Sequence, residues 1–179
     1  MKLVHFFFLV VICSCQQKKV KTESEETSSI KYSEESKILM EFKNHIFTCD
    51  SGLTTIETNI CSEEKAAYAD SLLDDLFQKI ISSLSEEINQ DSIRNRNADN
   101  LKDKEDIKYY LKNINDNKRK RKAAMESQEV WLNLRELNTN IYRISCEGGT
   151  ACNAIINTAI LEETLERIKL LESFFYIEN

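Results

Sequence analysis

AAMESQEVWLNLRELNTNIYRI, residues 123–144, is the stretch that decides the fold. Its apolar side chains recur at steps of four and three residues, which is typical of the buried face of a packed helix. These side chains are Val130, Leu134, Leu137, Ile141 and Ile144. A neighbouring stripe carries Gln128, Trp131 and Arg135, and Trp131 is the single tryptophan of the chain. We predict a helix whose polar stripe forms an interhelical network beside the core, with plain packing and a solvated arginine as the alternative.

The composition favours long helices. The chain has 179 residues, no proline and three glycines. A β-sandwich, which needs frequent turn residues, is therefore disfavoured. We predict an all-α domain, an antiparallel bundle of about three long helices. Charged residues make up 30% of the chain and the net charge is −6, which disfavours nucleic-acid binding and favours a basic partner.

The N-terminus has the pattern of an export signal. Lys2 precedes the apolar run 3–12, which is too short to span a bilayer as a mature helix. An apolar residue and two small residues then lead to Cys15, an arrangement that resembles a bacterial lipobox. We predict a signal peptide over residues 1–14 and a lipidated Cys15, with an ordinary signal peptide as the alternative.

The segment after Cys15 predicts a tether. Residues 15–37 are rich in Lys, Glu, Ser and Thr and nearly free of apolar residues, so they cannot bury enough surface to order themselves. Gln16 stands where an Asp would hold an enteric lipoprotein at the inner membrane. We therefore predict a protein anchored in the bacterial cell envelope, at the outer membrane or on the periplasmic or surface side, with its folded domain over residues 38–179.

The domain divides into helices with a polar region between them. Thr54 and Glu57 form a capping-box pattern, which predicts a helix that starts there and runs to about residues 89–90. Residues 91–117 are polar and predict a partly mobile insertion with a short helix near 105–114. The basic run 118–122 is interpreted as the solvated first turn of the next helix rather than as a nucleic-acid or anionic-lipid patch. A last helix is expected over about 153–176.

Four cysteines remain after the N-terminal pair is set aside: Cys49, Cys61, Cys146 and Cys152. An even number in an exported domain indicates disulfides, and three pairings are possible. The pairs Cys49–Cys61 and Cys146–Cys152 are favoured because each closes a short loop across a turn. A zinc site of four thiolates is disfavoured, because neither spacing is the short gap typical of such sites.

Signals for catalysis are weak. Outside the N-terminal signal the chain has one histidine, His45, in a segment before the first long helix. The many serines do not form the Gly-x-Ser-x-Gly turn of a hydrolase. Gly148 and Gly149 follow a helix rather than a strand, so they do not predict a phosphate loop. We predict a protein that is not an enzyme and that holds no cofactor and no metal.

Five short patterns resemble those of the LprI-like lysozyme-inhibitor family, which consists of small exported helical domains. They are Cys49 with Thr54, Glu57, Asn59 and Cys61; Ala69 and Asp70 with Leu73 and Phe77; Gln128, Trp131, Arg135 and Glu136; Gly148, Gly149 and Thr150; and Thr164, Arg167 and Leu171. Asp74 and Phe77 depart from the family's Asn and Tyr. Thr139 and about Ala159 stand where the family often has cysteines. If those two cysteines pair with each other in the family, the resemblance implies that this chain has moved one disulfide to flank the Gly-Gly turn.

The resemblance implies a protein that binds and inhibits lysozyme. An acidic anchored domain would be attracted to such a basic glycosidase. The candidate inhibitory loop comprises Glu147, Gly148, Gly149 and Thr150, and we expect the Glu147 side chain to contact the enzyme. Asp70 joins Gln128, Trp131 and Arg135 as a candidate structural network. A helical envelope module with a different protein partner is the alternative function.

Overall fold

The computed structural model describes residues 36–47, 49 and 54–175, all within the unit Glu35–Asn179. Over these residues the chain forms four helices and no strand: α1 Lys37–Asn44, α2 Thr55–Leu101, α3 Lys104–Ser145 and α4 Cys152–Phe174. Helix α3 runs antiparallel to α2 and α4, and all three pack together. The predicted all-α bundle of long helices is confirmed. The predicted signal, the anchor at Cys15 and almost all of the tether lie outside the described residues.

Helix α2 begins where the capping box predicted. The main-chain N–H of Glu57 donates to the Thr54 hydroxyl, and the Glu57 carboxylate accepts from the main-chain N–H of Thr54. Without these bonds, the main-chain N–H groups of Thr54 and Glu57 would be unpaired donors at the helix start. The beginning of α2 is therefore determined by local sequence.

The end of α2 differs from the prediction. The helix expected to stop near residues 89–90 continues to Leu101, so it is 47 residues long. Residues 91–117 are not a separate insertion: they form the ends of α2 and α3 on either side of a tight turn at Lys102 and Asp103. No glycine or proline lies between Thr54 and Glu147 to stop a helix. The basic run 118–122 accordingly lies inside α3, whereas a first turn was expected.

The core lies mainly between α2 and α4. Its buried side chains are Leu72, Leu73, Leu76, Ile80, Leu84, Ile168 and Leu171. Leu73, Ile80 and Leu84, which recur at helical period along α2, belong to this core, as do Ile168 and Leu171 along α4. Spacing at helical period therefore identified the inward faces of these two helices correctly.

Helix α3 turns its polar stripe, with Gln128 and Trp131, toward the core, and its apolar stripe outward. The apolar side chains predicted to be buried are 52–75% exposed. We call this set the α3 apolar stripe: Val130, Leu134, Leu137, Ile141 and Ile144. Ala124 and Gln128 are buried instead, and Trp131 packs against the core. The prediction was wrong because α2 and α4 already fill the core with aliphatic side chains, while the buried Arg167 of α4 needs the polar partners that α3 supplies.

Helix α1 is held by aromatic contacts. The segment before α2 is helical over Lys37–Asn44. The His45 ring stacks on Tyr68 with 3.9 Å between ring centroids, and Phe47 is buried beside both rings. Burial, together with a 3.4 Å hydrogen bond to the Glu41 carboxylate, raises the pKa of Tyr68 above its ordinary value. The single histidine outside the predicted signal thus packs between aromatic rings.

Candidate functional site

The loop between α3 and α4 is closed at its base by a disulfide. Cys146 ends α3, Cys152 begins α4, and the two are bonded to each other. The second predicted bridge, Cys49–Cys61, is also present and ties the chain before α2 to its second turn. Both predicted pairings are confirmed. A zinc site made by the four thiolates is excluded, because all four sulfur atoms are in disulfides.

A tight main-chain turn shapes the loop inside this bridge. The N–H of Gly149 donates to the carbonyl of Cys146 at 2.9 Å, and the N–H of Cys152 donates to the carbonyl of Gly149 at 3.1 Å. Gly148 has φ +80°, a conformation that costs residues with a Cβ about 1–2 kcal/mol. A Cβ on Gly149 would stand 3.1 Å from the carbonyl oxygen of Cys146. Gly148 therefore avoids backbone strain, and Gly149 avoids a contact that would force the Cys146 carbonyl to shift by a few tenths of an ångström.

Asn59 of α2 fixes the loop from the side. Its amide nitrogen donates to the carbonyl of Thr150 at 3.1 Å, and its amide oxygen accepts from the N–H of Ala154 at 3.0 Å. The N-cap of α4 is Ala151, which supplies no side-chain cap, so Asn59 caps α4 from another helix. Sequence analysis found Asn59 only through the family resemblance, because capping rules look for the acceptor within the same segment.

Glu147 stands exposed on this constrained loop. Its neighbours Gly148, Gly149 and Thr150 are exposed as well. Within the part of the chain that the structure describes, no hydrogen bond or ion pair engages the Glu147 carboxylate. The loop thus presents one unpaired negative charge on a backbone that needs little further ordering. Such a preformed surface lowers the entropy lost on binding a partner.

A polar network joins the three long helices beside the core. Arg135 of α3 donates to the Asp70 carboxylate of α2 at 2.5 Å and to the Thr164 hydroxyl of α4 at 2.9 Å. The hydroxyl of Thr164 in turn donates to Asp70 at 2.9 Å. The three side chains form a closed triangle, one from each helix. The sequence predicted Arg135 and Asp70 as network members but not Thr164, which is fully buried.

A second part of the network is centred on Arg167. Its guanidinium donates to the side-chain oxygens of Gln128 at 3.0 Å and Ser127 at 2.9 Å. Burial lowers the pKa of this guanidinium from its ordinary value, although an arginine keeps its charge at any physiological pH. The ring of Trp131 lies under two cations, 4.6 Å from Arg135 and 5.7 Å from Arg167.

The four network residues predicted from sequence are therefore brought together. Asp70 contacts Arg135, Arg135 contacts Trp131, and Arg167 links Trp131 to Gln128. Sequence analysis missed the central place of Arg167, which was quoted only as part of a family pattern. A charged side chain one residue before the core residue Ile168 was the signal that could have revealed it.

The network and the loop differ in what they can contact. Asp70, Gln128, Trp131, Arg135, Thr164 and Arg167 are half-buried or buried, and their contacts are with one another across helices, which favours a role in positioning the helices. Among residues 36–47, 49 and 54–175 no group of three or more His, Cys, Asp or Glu side chains is placed to hold a metal ion. No helix in these ranges is both long and apolar enough to span a membrane. The loop, in contrast, offers exposed and ordered groups to a macromolecule.

A family model described as "Lysozyme inhibitor LprI" matches residues 49–171, which is more than half of the chain. The chain belongs to the LprI family. No curated protein and no solved structure matches it. The matched range of this LprI domain begins at the first bridged cysteine and ends at the core residue Leu171, so it contains both disulfides, the loop and the entire polar network.

Family membership indicates what this domain binds and where it works. The chain carries a lysozyme-inhibitor domain, its family is one of inhibitors rather than of enzymes, and the family partner is lysozyme. An inhibitor family of this kind works outside the cytoplasm, in the cell envelope. The family patterns quoted from the sequence also acquire a physical meaning in this LprI domain. Asn59 caps α4, Arg167 bonds Gln128, and Gly148 takes the positive φ of the turn.

Proposed function

We propose that this LprI domain is a lipid-anchored envelope inhibitor that binds lysozyme and blocks it without catalysing a reaction. Family membership supplies the partner. The inhibitory contact is the loop 146–152, and the observation that carries this assignment is the unpaired Glu147 on a loop constrained by a disulfide and by Asn59. Preorganised loops of this kind gain affinity because little conformational entropy is lost on docking.

Charge favours the same partner. The chain has a net charge of −6, and a lysozyme-type glycosidase is basic. Opposite net charges accelerate encounter, and an exposed carboxylate on the contact loop gives that attraction a direction. Attraction of this type weakens as salt screens exposed charges over about 8 Å at physiological ionic strength.

The anchor is part of the proposal and rests on sequence. Cys15, at the end of the apolar run 3–12, carries the lipid, and residues 15–37 hold the domain away from the membrane. An inhibitor placed there meets a lysozyme that attacks the wall before the enzyme reaches its substrate. Mass spectrometry of the protein purified from bacterial membranes tests this directly: the expected product starts at Cys15 and carries acyl chains.

Inhibition is tested with purified peptidoglycan, lysozyme and the full chain in a mild detergent. We expect stoichiometric inhibition at about 50 mM salt that weakens at about 500 mM salt. The variant Glu147→Gln should raise the inhibition constant about tenfold, which corresponds to about 1.4 kcal/mol. Glu129→Gln is the matched control, because it removes the same charge from an exposed site on α3 about 25 Å away along the helix.

Two outcomes would contradict the assignment. Equal effects of the two variants would mean that only net charge matters and that the loop is not the contact. Absence of inhibition of every lysozyme type by a folded, disulfide-bonded chain would reject lysozyme as the target. The domain would then be a helical envelope module for a different protein partner.

A further inference from the structure

The α3 apolar stripe is unpartnered in the described part of the chain. Val130, Leu137 and Ile144 are 67%, 63% and 75% exposed, and Leu134 and Ile141 between them are 52% and 62% exposed. In a chain with 30% charged residues, the outward face of a helix normally carries charged or polar side chains. Five large aliphatic side chains in one row therefore indicate a surface that is covered by something else.

The spacing of the α3 apolar stripe indicates that the surface covering it is an α-helix. The steps between successive members are four, three, four and three residues, which is the heptad pattern of a helix that packs against another helix. The row extends over about 21 Å of α3 at 1.5 Å per residue. An α-helix of the partner, lying nearly parallel or antiparallel to α3, fits this geometry.

The residues on either side of the α3 apolar stripe carry no charge, and this bears on which partner binds there. Between Val130 and Ser145, the positions that border the heptad seam are Trp131, Asn133, Asn138, Asn140 and Ser145. None of them carries a charge, although this is where coiled coils place the charges that choose a partner. A neutral border gives a basic glycosidase nothing to attract it. It also creates no like-charge repulsion between two identical surfaces.

We propose that the α3 apolar stripe is the interface of a symmetric homodimer, in which α3 of one protomer packs against α3 of a second copy. The same surface then serves both protomers, as two-fold symmetry requires. Each copy contributes roughly 500 Å² of exposed apolar surface, so the pair buries about 1,000 Å², the lower limit for a specific interface. The dimer is accordingly weak and reversible.

The stability of the proposed dimer depends on salt in the direction opposite to that of lysozyme binding. Two copies that each carry a net charge of −6 repel at long range, and the interface itself is apolar. Added salt screens the repulsion and strengthens the association of exposed apolar surface. An electrostatic complex with a basic enzyme weakens under the same change.

Sedimentation equilibrium of the full chain, in a density-matched detergent solution, tests the dimer. We expect a monomer–dimer equilibrium with a dissociation constant of about 10 µM that tightens at high salt. Leu137→Gln should raise this constant at least about tenfold. Leu137 is 63% exposed, so the variant should fold, and circular dichroism checks this. Leu111→Gln is the matched control on the same helix, since Leu111 is 46% exposed and lies outside the stripe.

The remaining outcomes would overturn the proposal. A wild-type chain that stays monomeric at all concentrations and salt levels has no such interface. A dimer that persists in Leu137→Gln is held by another surface. A monomeric wild type whose inhibition of lysozyme falls in Leu137→Gln but not in Leu111→Gln would place the enzyme, instead of a second copy, on the stripe.

Discussion

Asn59, in the second turn of α2, accepts a 3.0 Å hydrogen bond from the main-chain N–H of Ala154 in the first turn of α4. The amide of the same side chain donates to the carbonyl of Thr150 in the preceding loop. One residue therefore attaches two consecutive segments to α2. It does so at the end of the bundle where both disulfides lie, so loop position and helix capping depend on the same contact.

Asn59→Ala should lower the free energy of unfolding by about 1–2 kcal/mol, because it removes the cap of α4 and the bond to Thr150. Urea denaturation followed by circular dichroism measures this. Asn59→Asp keeps the acceptor and places a negative charge at a helix N-terminus, so its loss should be smaller. Asn153→Ala, an exposed change in the same turn of α4, is the control. If Asn59→Ala were no worse than this control, the cap would contribute nothing.

The loop disulfide should matter more for inhibition than for folding. Replacing Cys146 and Cys152 by serine should cost about 2 kcal/mol of stability and weaken inhibition about tenfold, because the loop loses its preformed shape. Replacing Cys49 and Cys61 by serine removes a bridge that closes a longer segment, so it should cost about 3 kcal/mol and leave inhibition largely intact. Denaturation and inhibition assays are run in parallel. Equal loss of inhibition in both variants would argue against a specific role for the loop.

Arg167→Lys should destabilise the protein by about 1–3 kcal/mol, because an ammonium group cannot reproduce the planar donation to Gln128 and Ser127. Arg167 and Gln128 are buried, so a bond left unmade between them is not replaced by water. Arg121→Lys is the comparison, since Arg121 makes a single 3.2 Å bond to Ser85, and its cost should stay below about 0.5 kcal/mol. If urea denaturation gave similar losses in the free energy of unfolding for the two variants, the buried network would not be a determinant of stability.

Lys102→Gly should stabilise the turn between α2 and α3. Lys102 has φ 59°, the left-handed conformation that ends α2, and a glycine there avoids about 1 kcal/mol of Cβ strain. Lys104→Gly, two residues further on, lies inside the first turn of α3 and should instead destabilise by up to about 1 kcal/mol. The midpoint temperature of thermal unfolding should therefore rise in Lys102→Gly and fall in Lys104→Gly. A shift in the same direction would show that charge, and not backbone conformation, controls this turn.

Local features of the chain could be predicted from sequence because their partners lie within a few residues. The capping box at Thr54 and Glu57 begins α2, the short spacings between cysteines gave the disulfide pairing, and the helical period of α2 and α4 identified their buried faces. Ordered family patterns identified the LprI domain. The absence of proline and the scarcity of glycine predicted long helices.

Distant contacts decided the rest. The sequence of α3 contains two stripes, and apolar spacing alone cannot tell a stripe that faces the core from one that faces another molecule. The tertiary structure turns Gln128 and Trp131 inward, because the buried Arg167 of α4 must find hydrogen-bond partners and the core between α2 and α4 is already filled. The sequence by itself determined the all-α class, the start of α2, the bridges and the family. Only tertiary packing decided which face of α3 is exposed, since that choice depends on what the neighbouring helices leave unsatisfied.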